Sequence, residues 1–315
     1  MAETMIALSG VSRDYGSILA LRDIDLTVER GEVVGFLGPN GAGKTTAMRI
    51  LAGLLAPSRG TVHVAGIDML ADAKKAKARL GFLPETPPLY DDMTVREYLT
   101  YLAALRGVER RDLGRATGVA MERCGLAGVA DRLLRNLSKG YRQRAGIAQA
   151  IVHAPAVVVL DEPTVGLDPI QIREIRRLIG ELGGDHSVLL STHILPEVRM
   201  TCHRVAVINQ GRIVATDTIE GLEHRARGGG RIRVRWQSPP EDAALLALGG
   251  IVDVSHQPDG QVVITPQPGA DPVPDLVRES VARGWDLREL APQVESLEDI
   301  FVQLTTRESD EGAAP

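Results

Sequence analysis

The segment FLGPNGAGKTTAMRIL, residues 36–51, constrains the fold of this chain more than any other stretch. An apolar run ends in glycines, and a helical pattern begins at a single lysine. Gly38, Gly43, Lys44 and Thr45 satisfy G-x-x-x-x-G-K-S/T, and the strand reading before it and the helix reading after it supply the context that gives the pattern meaning. Glycines let backbone N–H groups wrap a phosphate, and the helix N-terminus adds partial positive charge. Lys44 is placed to bridge outer phosphates, and Thr45 to hold magnesium through its hydroxyl. The plain alternative is a glycine-rich turn that binds nothing; the flanking elements favour the phosphate cradle.

Around this unit the pattern changes several times. MIALSGVSRDYG and LALRDIDLTVERGEVVGFLG alternate apolar and polar residues between glycines, which predicts antiparallel strands. VVGFLG is apolar on both faces, as a strand covered on both sides by helices is. From about Pro84 to Ala150 the pattern is helical, and TVREYLTYLAAL places Val95, Leu99, Leu102 and Leu105 on one stripe. AVVVLDEP, SVLLSTH and RVAVINQGRIVA restore strand character, so the sequence predicts an α/β parallel-sheet core with an inserted helical subdomain. Gly228 to Gly230 mark a linker. Beyond it RIRVRW, EDAALLAL, IVDVSH, QVVITP, VPDLVRESVARG and DLRELA read as strand, helix, strand, strand, helix, strand, the order of a small ferredoxin-like α+β domain. LEDIFVQLT puts Leu297, Ile300, Phe301 and Leu304 on one helical stripe, read as packing on its own domain. The expected boundaries are 1–224 for the nucleotide domain (helical subdomain about 86–150), 225–230 for the linker, 231–305 for the accessory domain and 306–315 for a disordered tail.

A phosphate cradle alone does not define a chemistry. VVVLDEP places Asp161 and Glu162 at the end of a buried strand, where one carboxylate can meet a magnesium shell and the next can orient a water for attack. Alone, two acids at a strand end are as readily solvated residues; beside the loop at Lys44 the functional reading prevails.

With these residues in place, the chain resembles the ATP-binding subunits of ABC transporters. GPNGAGKTT is similar to that family's phosphate loop, LSKGYRQR (Leu137 to Arg144) to its signature segment, VVVLDEP to its magnesium strand, VGLD to its dimer-contact loop and STH to its switch-histidine segment, all in the family's order. The resemblance implies a P-loop NTPase core of ABC type with an antiparallel β subdomain and a helical subdomain, with ATP and Mg2+ as ligands. ATP would be held by Tyr15, stacked on adenine, and by Gly38, Pro39, Asn40, Gly41, Ala42, Gly43, Lys44, Thr45 and Thr46. Magnesium would be met by Thr45, Asp161 and Glu85. Glu162 would deprotonate the attacking water, His193 would contact the γ-phosphate, and Asp168 would align two chains. The signature residues Ser138, Lys139, Gly140 and Tyr141 would act on ATP held by the partner subunit, so that each chain carries half of a site. Two positions depart from the family pattern: Glu85 stands where glutamine is usual, adding negative charge, and LSKGY replaces LSGGQ while keeping Ser138 and Gly140.

LPETPPLYDDMTVREYL, LSKGYRQRAGIAQAIVHAP and SLEDIFVQLT resemble the branch serving ABC-2 type exporters, including gliding-motility, drug and sodium systems. The implied function is ATP hydrolysis driving export through separate membrane-spanning permease subunits, by a homodimer or heterodimer of ATP-binding subunits, cytoplasmic and peripheral on the inner face of the cell membrane. A soluble ABC ATPase working on ribosomes, DNA ends or another non-transport partner is the competing class, although one phosphate loop speaks against the usual ribosomal form and the lack of a long heptad run against the DNA-repair form. A GTP switch would need an N-K-x-D segment, and INQGRI does not fit. Composition narrows the field further. With 36 basic against 41 acidic residues and 3% aromatics, no nucleic-acid partner is expected. The most apolar segment, AGIAQAIVHAPAVVVL, is broken by Gln149, His153 and Pro155 before reaching the ~20 residues of a spanning helix. Cys124 and Cys202 have no redox or ligand spacing, and His63, His153, His186, His203, His224 and His256 show no metal spacing. Arg225, Arg227, Arg231, Arg233 and Arg235 are read as linker and one solvated strand face.

Overall fold

Two alternating segments open the chain, Thr4–Asp14 (β1) and Leu19–Glu29 (β2), paired antiparallel. Their inward positions Ile6, Leu8, Leu21, Ile24, Leu26 and Val28 are buried, while the intervening residues of β2 are largely exposed. That alternation is the signature of a sheet with one dry face. Val33–Leu37 (β3) differs: all five residues are buried, and it runs into the glycine loop and helix Lys44–Leu51 (α1). Arg59–Val64 (β4) and Ile67–Asp68 (β5) complete a four-stranded antiparallel sheet in the order β2-β1-β4-β5.

Helix Ala73–Ala78 (α2), N-capped by Asp72, leads to strand Leu80–Leu83 (β6). The helical subdomain comprises Val95–Leu105 (α3), Leu113–Arg123 (α4) and Lys139–Ile151 (α5). A capping box starts α3: Thr94 and Glu97 satisfy each other's backbone N–H groups. The stripe expected on α3 is corrected at its end. Val95 and Leu99 are buried, but Leu105 is 69% exposed, and Tyr98 and Ala103 complete the inward face. The helix ends there, so no following turn covers Leu105.

Val157–Asp161 (β7), Pro169–Leu182 (α6), Ser187–Thr192 (β8), Leu195–Thr201 (α7), Arg204–Asn209 (β9) and Arg212–Thr218 (β10) finish the first unit. Its second sheet is six-stranded, ordered β10-β9-β3-β8-β7-β6. Every neighbouring pair in it is parallel except β9 with β10. Continuous apolar runs in β3, β7 and β8 follow from helices covering both faces of a parallel sheet. One core joins the antiparallel sheet, α1 (Met48, Ile50, Leu51) and Phe36 of β3. The loop carrying Lys44 is therefore clamped between two rigid layers.

The computed structural model describes residues 3–222, 231–267 and 269–292, and the chain divides into units Met1–Ile219 and Glu220–Pro315. The second unit contains Ile232–Trp236 (β11), Asp242–Leu246 (α8), Ile251–His256 (β12), Val262–Pro266 (β13), Val273–Ala282 (α9) and Leu287–Pro292 (β14). Its strand order is β12-β13-β11-β14 with all pairs antiparallel, which is the ferredoxin-like topology. A core of Ile232, Val234, Trp236, Leu245, Ile264, Leu276 and Trp285 lies under its two helices. On the other side of β11, Arg233 pairs with Glu289 and Arg235 with Asp259. The linker 225–230, with Arg225, Arg227 and Gly228 to Gly230, lies outside the described residues, as do His224, the stripe Leu297, Ile300, Phe301, Leu304 and the tail 306–315.

Candidate active site

Lys44 opens α1 and is 6% exposed, so its charge needs partners. The ammonium donates to the carbonyls of Gly38 (2.7 Å) and Pro39 (3.2 Å) and sits 3.3 Å from Glu162 Oε1. Gly43 at the helix start has φ 108° and no room for a side chain, since a Cβ there would lie 2.7 Å from the carbonyl oxygen of Ala20. Only glycine takes this backbone without strain.

Glu162 is the residue around which the rest is arranged. It follows β7, is 6% exposed, and has φ 47°, a left-handed conformation that costs a non-glycine residue about 1–3 kcal/mol. The turn is held by its own N–H, which donates to Ser191 Oγ (3.0 Å) and lies 3.2 Å from the Ser191 carbonyl on β8. Ser191 in turn donates to Asp161 Oδ1 at 2.5 Å. The consequence is a carboxylate aimed away from the strand: Oε2 accepts from His193 Nδ1 at 2.9 Å, the direction an ionised carboxylate dictates. Glu162 therefore stands between the Lys44 cation and the His193 ring.

These groups surround a cavity of about 400 Å³ lined by Asn40, Gly41, Lys44, Thr45, Glu85, Glu162 and His193 among others. That is a volume ordinary for a small-molecule site. Of the sequence-predicted residues, the structure brings together the loop, Glu85, Glu162 and His193. It leaves others apart from the cavity lining. Tyr15 is 49% exposed in the turn between β1 and β2, with the Arg13 guanidinium 4.7 Å from its ring centroid. Asp161 is 1% exposed and accepts from Ser191 Oγ. Asp168 caps α6, accepting from the N–H groups of Ile170 and Gln171 at 2.9 Å each. Ser138 caps α5; Lys139 reaches over Gly166, Gly140 packs on Gln171, and Tyr141 is 40% exposed. Both cysteines are buried, and burial pushes their thiols up to about 12, so neither offers a thiolate. Among the described residues no cluster of three or more His, Cys, Asp or Glu is arranged to hold a metal. Thr45 and Glu85 on the cavity wall carry side-chain oxygens, the donor type that magnesium takes.

Residues 21–165 match the family model described as ABC transporter. Over 99% of both chains, this one is 34% identical to the ABC transporter ATP-binding protein YdbJ of Bacillus subtilis (strain 168). The chain belongs to the ABC transporter ATP-binding family. It is likewise 32% identical to the bacitracin transport ATP-binding protein BcrA of Bacillus licheniformis, over 96% of this chain and 97% of that one. The dimeric structure of MJ0796, a bacterial ABC transporter cassette, superposes with a TM-score of 0.62 at 25% identity, covering 68% of this chain and 99% of that one. The fold is thus that of an ABC ATPase, with a P-loop core, an antiparallel subdomain and a helical subdomain, and the chain is an ATP hydrolase of that family. Among its described residues no helix is long and apolar enough to cross a membrane.

Sequence reasoning passed over several residues of this ABC site. Ser191 and Thr192 stand in the STH segment in plain view, yet no spacing rule joins Ser191 to the backbone of Glu162. Thr164, Arg176 and Glu197 carried no signal at all, because they meet only when α6 and α7 pack over the sheet.

Proposed function

We propose that this chain is the ATP-hydrolysing subunit of an ABC-2 type exporter, working as a dimer on the inner face of the cell membrane with separate permease subunits. One observation carries the catalytic assignment: a buried carboxylate, Glu162, lies between the phosphate-loop lysine at 3.3 Å and a histidine at 2.9 Å, at the wall of the cavity that phosphates would enter. In this reading the ammonium of Lys44 leaves the loop carbonyls for the β- and γ-phosphates. Glu162, released from Lys44, accepts a proton from the water that attacks the γ-phosphorus, and the P–O bond to ADP breaks. His193, held by Glu162, presents its ring to the γ-phosphate. Thr45, Glu85 and Asp161, whose carboxylate accepts from Ser191, would hold Mg2+, and the cation would supply charge neutralisation on the phosphates.

The dimer reading rests on where the signature lies. Ser138, Lys139, Gly140 and Tyr141 stand outside the cavity of their own chain, and Ser138, Lys139 and Tyr141 are exposed, so the signature is left for the nucleotide of another copy. MJ0796, of the same fold, is a dimer. The exporter reading is supported by the bacitracin transport relative, whose alignment extends through the second unit as well as the first. Glu162→Gln tests the assignment: ATP binding persists and turnover falls about 10²–10⁴-fold, the usual worth of a positioned base. Parental turnover in that variant overturns it. A neighbouring reading frame with about six apolar spans is the observation expected for export.

A further inference from the structure

Glu197 on α7 is 1% exposed and does not face the cavity. Three donors converge on its carboxylate. Oε1 accepts from Thr164 Oγ1 at 2.6 Å and from Arg176 Nη2 at 3.4 Å, and Oε2 accepts from Thr192 Oγ1 at 2.8 Å. A charge this deeply buried persists only when its lone pairs are met, and here they are met by groups from three different elements. Each belongs to a segment with a role already described. Thr164 follows the turn of Glu162 and precedes the loop ending at Asp168. Arg176 lies on α6, the helix that Asp168 caps. Thr192 ends β8 immediately before His193 and also accepts from the N–H of Ile194 at 3.0 Å.

We propose that Glu197 is a positioning residue for hydrolysis: it ties the loop at Val165–Asp168 and helix α6 to the strand end bearing His193, so that movement at the dimer-contact loop reaches the His193–Glu162 pair. This rests on the reading of Glu162 and His193 as the hydrolytic pair, and acts through them without touching ATP. The physical argument is short. Thr192 is one bond from His193, and Thr164 is two residues from Glu162. A single carboxylate bridging their hydroxyls fixes the separation of the two strand ends on which the 2.9 Å contact between His193 and Glu162 depends. The Arg176 guanidinium makes the same anchor answer to rotation or sliding of α6.

Steady-state ATPase kinetics of the full chain, with nucleotide binding and melting temperature measured on the same samples, test this in Thr192→Val, Glu197→Gln and the double variant. Thr→Val keeps the volume and removes the hydroxyl. Each single change is expected to lower kcat about 10–10²-fold, the effect of small misplacement at a reacting centre, while KM for ATP stays within about twofold. The double variant is expected to fall no further than the worse single one, because both changes remove the same tie. A lowered melting temperature with parental kcat in the folded enzyme overturns the proposal, as do strictly multiplicative losses. Should Glu197→Gln not fold, Thr192→Val and Thr164→Val decide alone. Glu162→Gln run alongside keeps the two readings apart. Parental turnover there sinks the hydrolytic pair itself, whereas slow turnover there with unimpaired Thr192→Val and Glu197→Gln sinks only the role of Glu197.

Discussion

Glu162 has two tasks that oppose each other. Without nucleotide its carboxylate helps neutralise the buried Lys44 ammonium, 3.3 Å away, and the same contact must be surrendered before Lys44 can serve a phosphate. The negative charge also repels the incoming triphosphate. Glu162→Gln removes both obstacles, so ATP binding to this variant is expected to be about three- to tenfold tighter than in the parent, read by equilibrium fluorescence titration, even as turnover collapses. Weaker binding than in the parent contradicts the competition. Lys44→Ala has the opposite expectation. It deletes the only Lys or Arg lining the cavity among the described residues, and nucleotide affinity drops at least about tenfold in the same titration. The left-handed backbone of Glu162 belongs to the same account: strain tolerated at one residue is compensated by the Ser191 hydroxyl and carbonyl.

Elements meet at the junction between α5 and β7, where His153 follows the helix. Its Nε2 bonds the Leu80 carbonyl on β6 at 3.2 Å, and its Nδ1 is buried with no hydrogen-bond partner among the described residues. Burial, helped by the nearby Arg106 charge, pulls the imidazole down to about 4 from the ordinary 6.5. His186, which contacts the Pro155 carbonyl in the same junction, is lowered too, first by burial. The sign follows directly. The unfolded chain takes up protons at these rings before the folded one does, so stability is unaffected above about pH 6.5 and is lost as pH falls from 6.5 toward 4. For His153 the loss reaches on the order of 3 kcal/mol once the pH falls below about 4. Urea unfolding from pH 7.5 to 4.5 is expected to show that slope, and His153→Gln to flatten it. A parental slope in the variant assigns the acid sensitivity elsewhere. At the start of α6, the Asp168 cap is expected to contribute about 1 kcal/mol, so Asp168→Ala lowers stability as well as any dimer contact.

On the scale of the whole molecule, among the described residues each unit carries a hydrophobic core of its own. Among the described residues, the core uniting β1, β2, β3 and α1 contains none beyond Ile213, and the ferredoxin-like core contains none before Ile232. Every residue of the cavity lies in the first unit. A chain lacking residues 229–315 is therefore expected to unfold cooperatively and to bind ATP within about twofold of the parent, measured by calorimetry and titration. Loss of ATP binding in a folded truncation makes the second unit part of the site.

How far the sequence reached depends on the range of each interaction. The phosphate loop, the fully buried strand before it and the order of elements in the second unit rest on neighbours within a few residues, where periodicity and turn chemistry suffice. The amino acids alone accordingly determined the α/β core, the loop at Lys44 and the chemical types available for hydrolysis. Leu105 escaped because exposure at a helix end depends on what packs beyond it. The pairing of Glu162 with His193 across 31 residues, its contact with Lys44 across 118, and the gathering of Thr164, Arg176 and Thr192 on Glu197 were decided only in three dimensions. A buried charge finds its partners among whatever strand order and helix packing bring near, and no spacing along the chain encodes that distance.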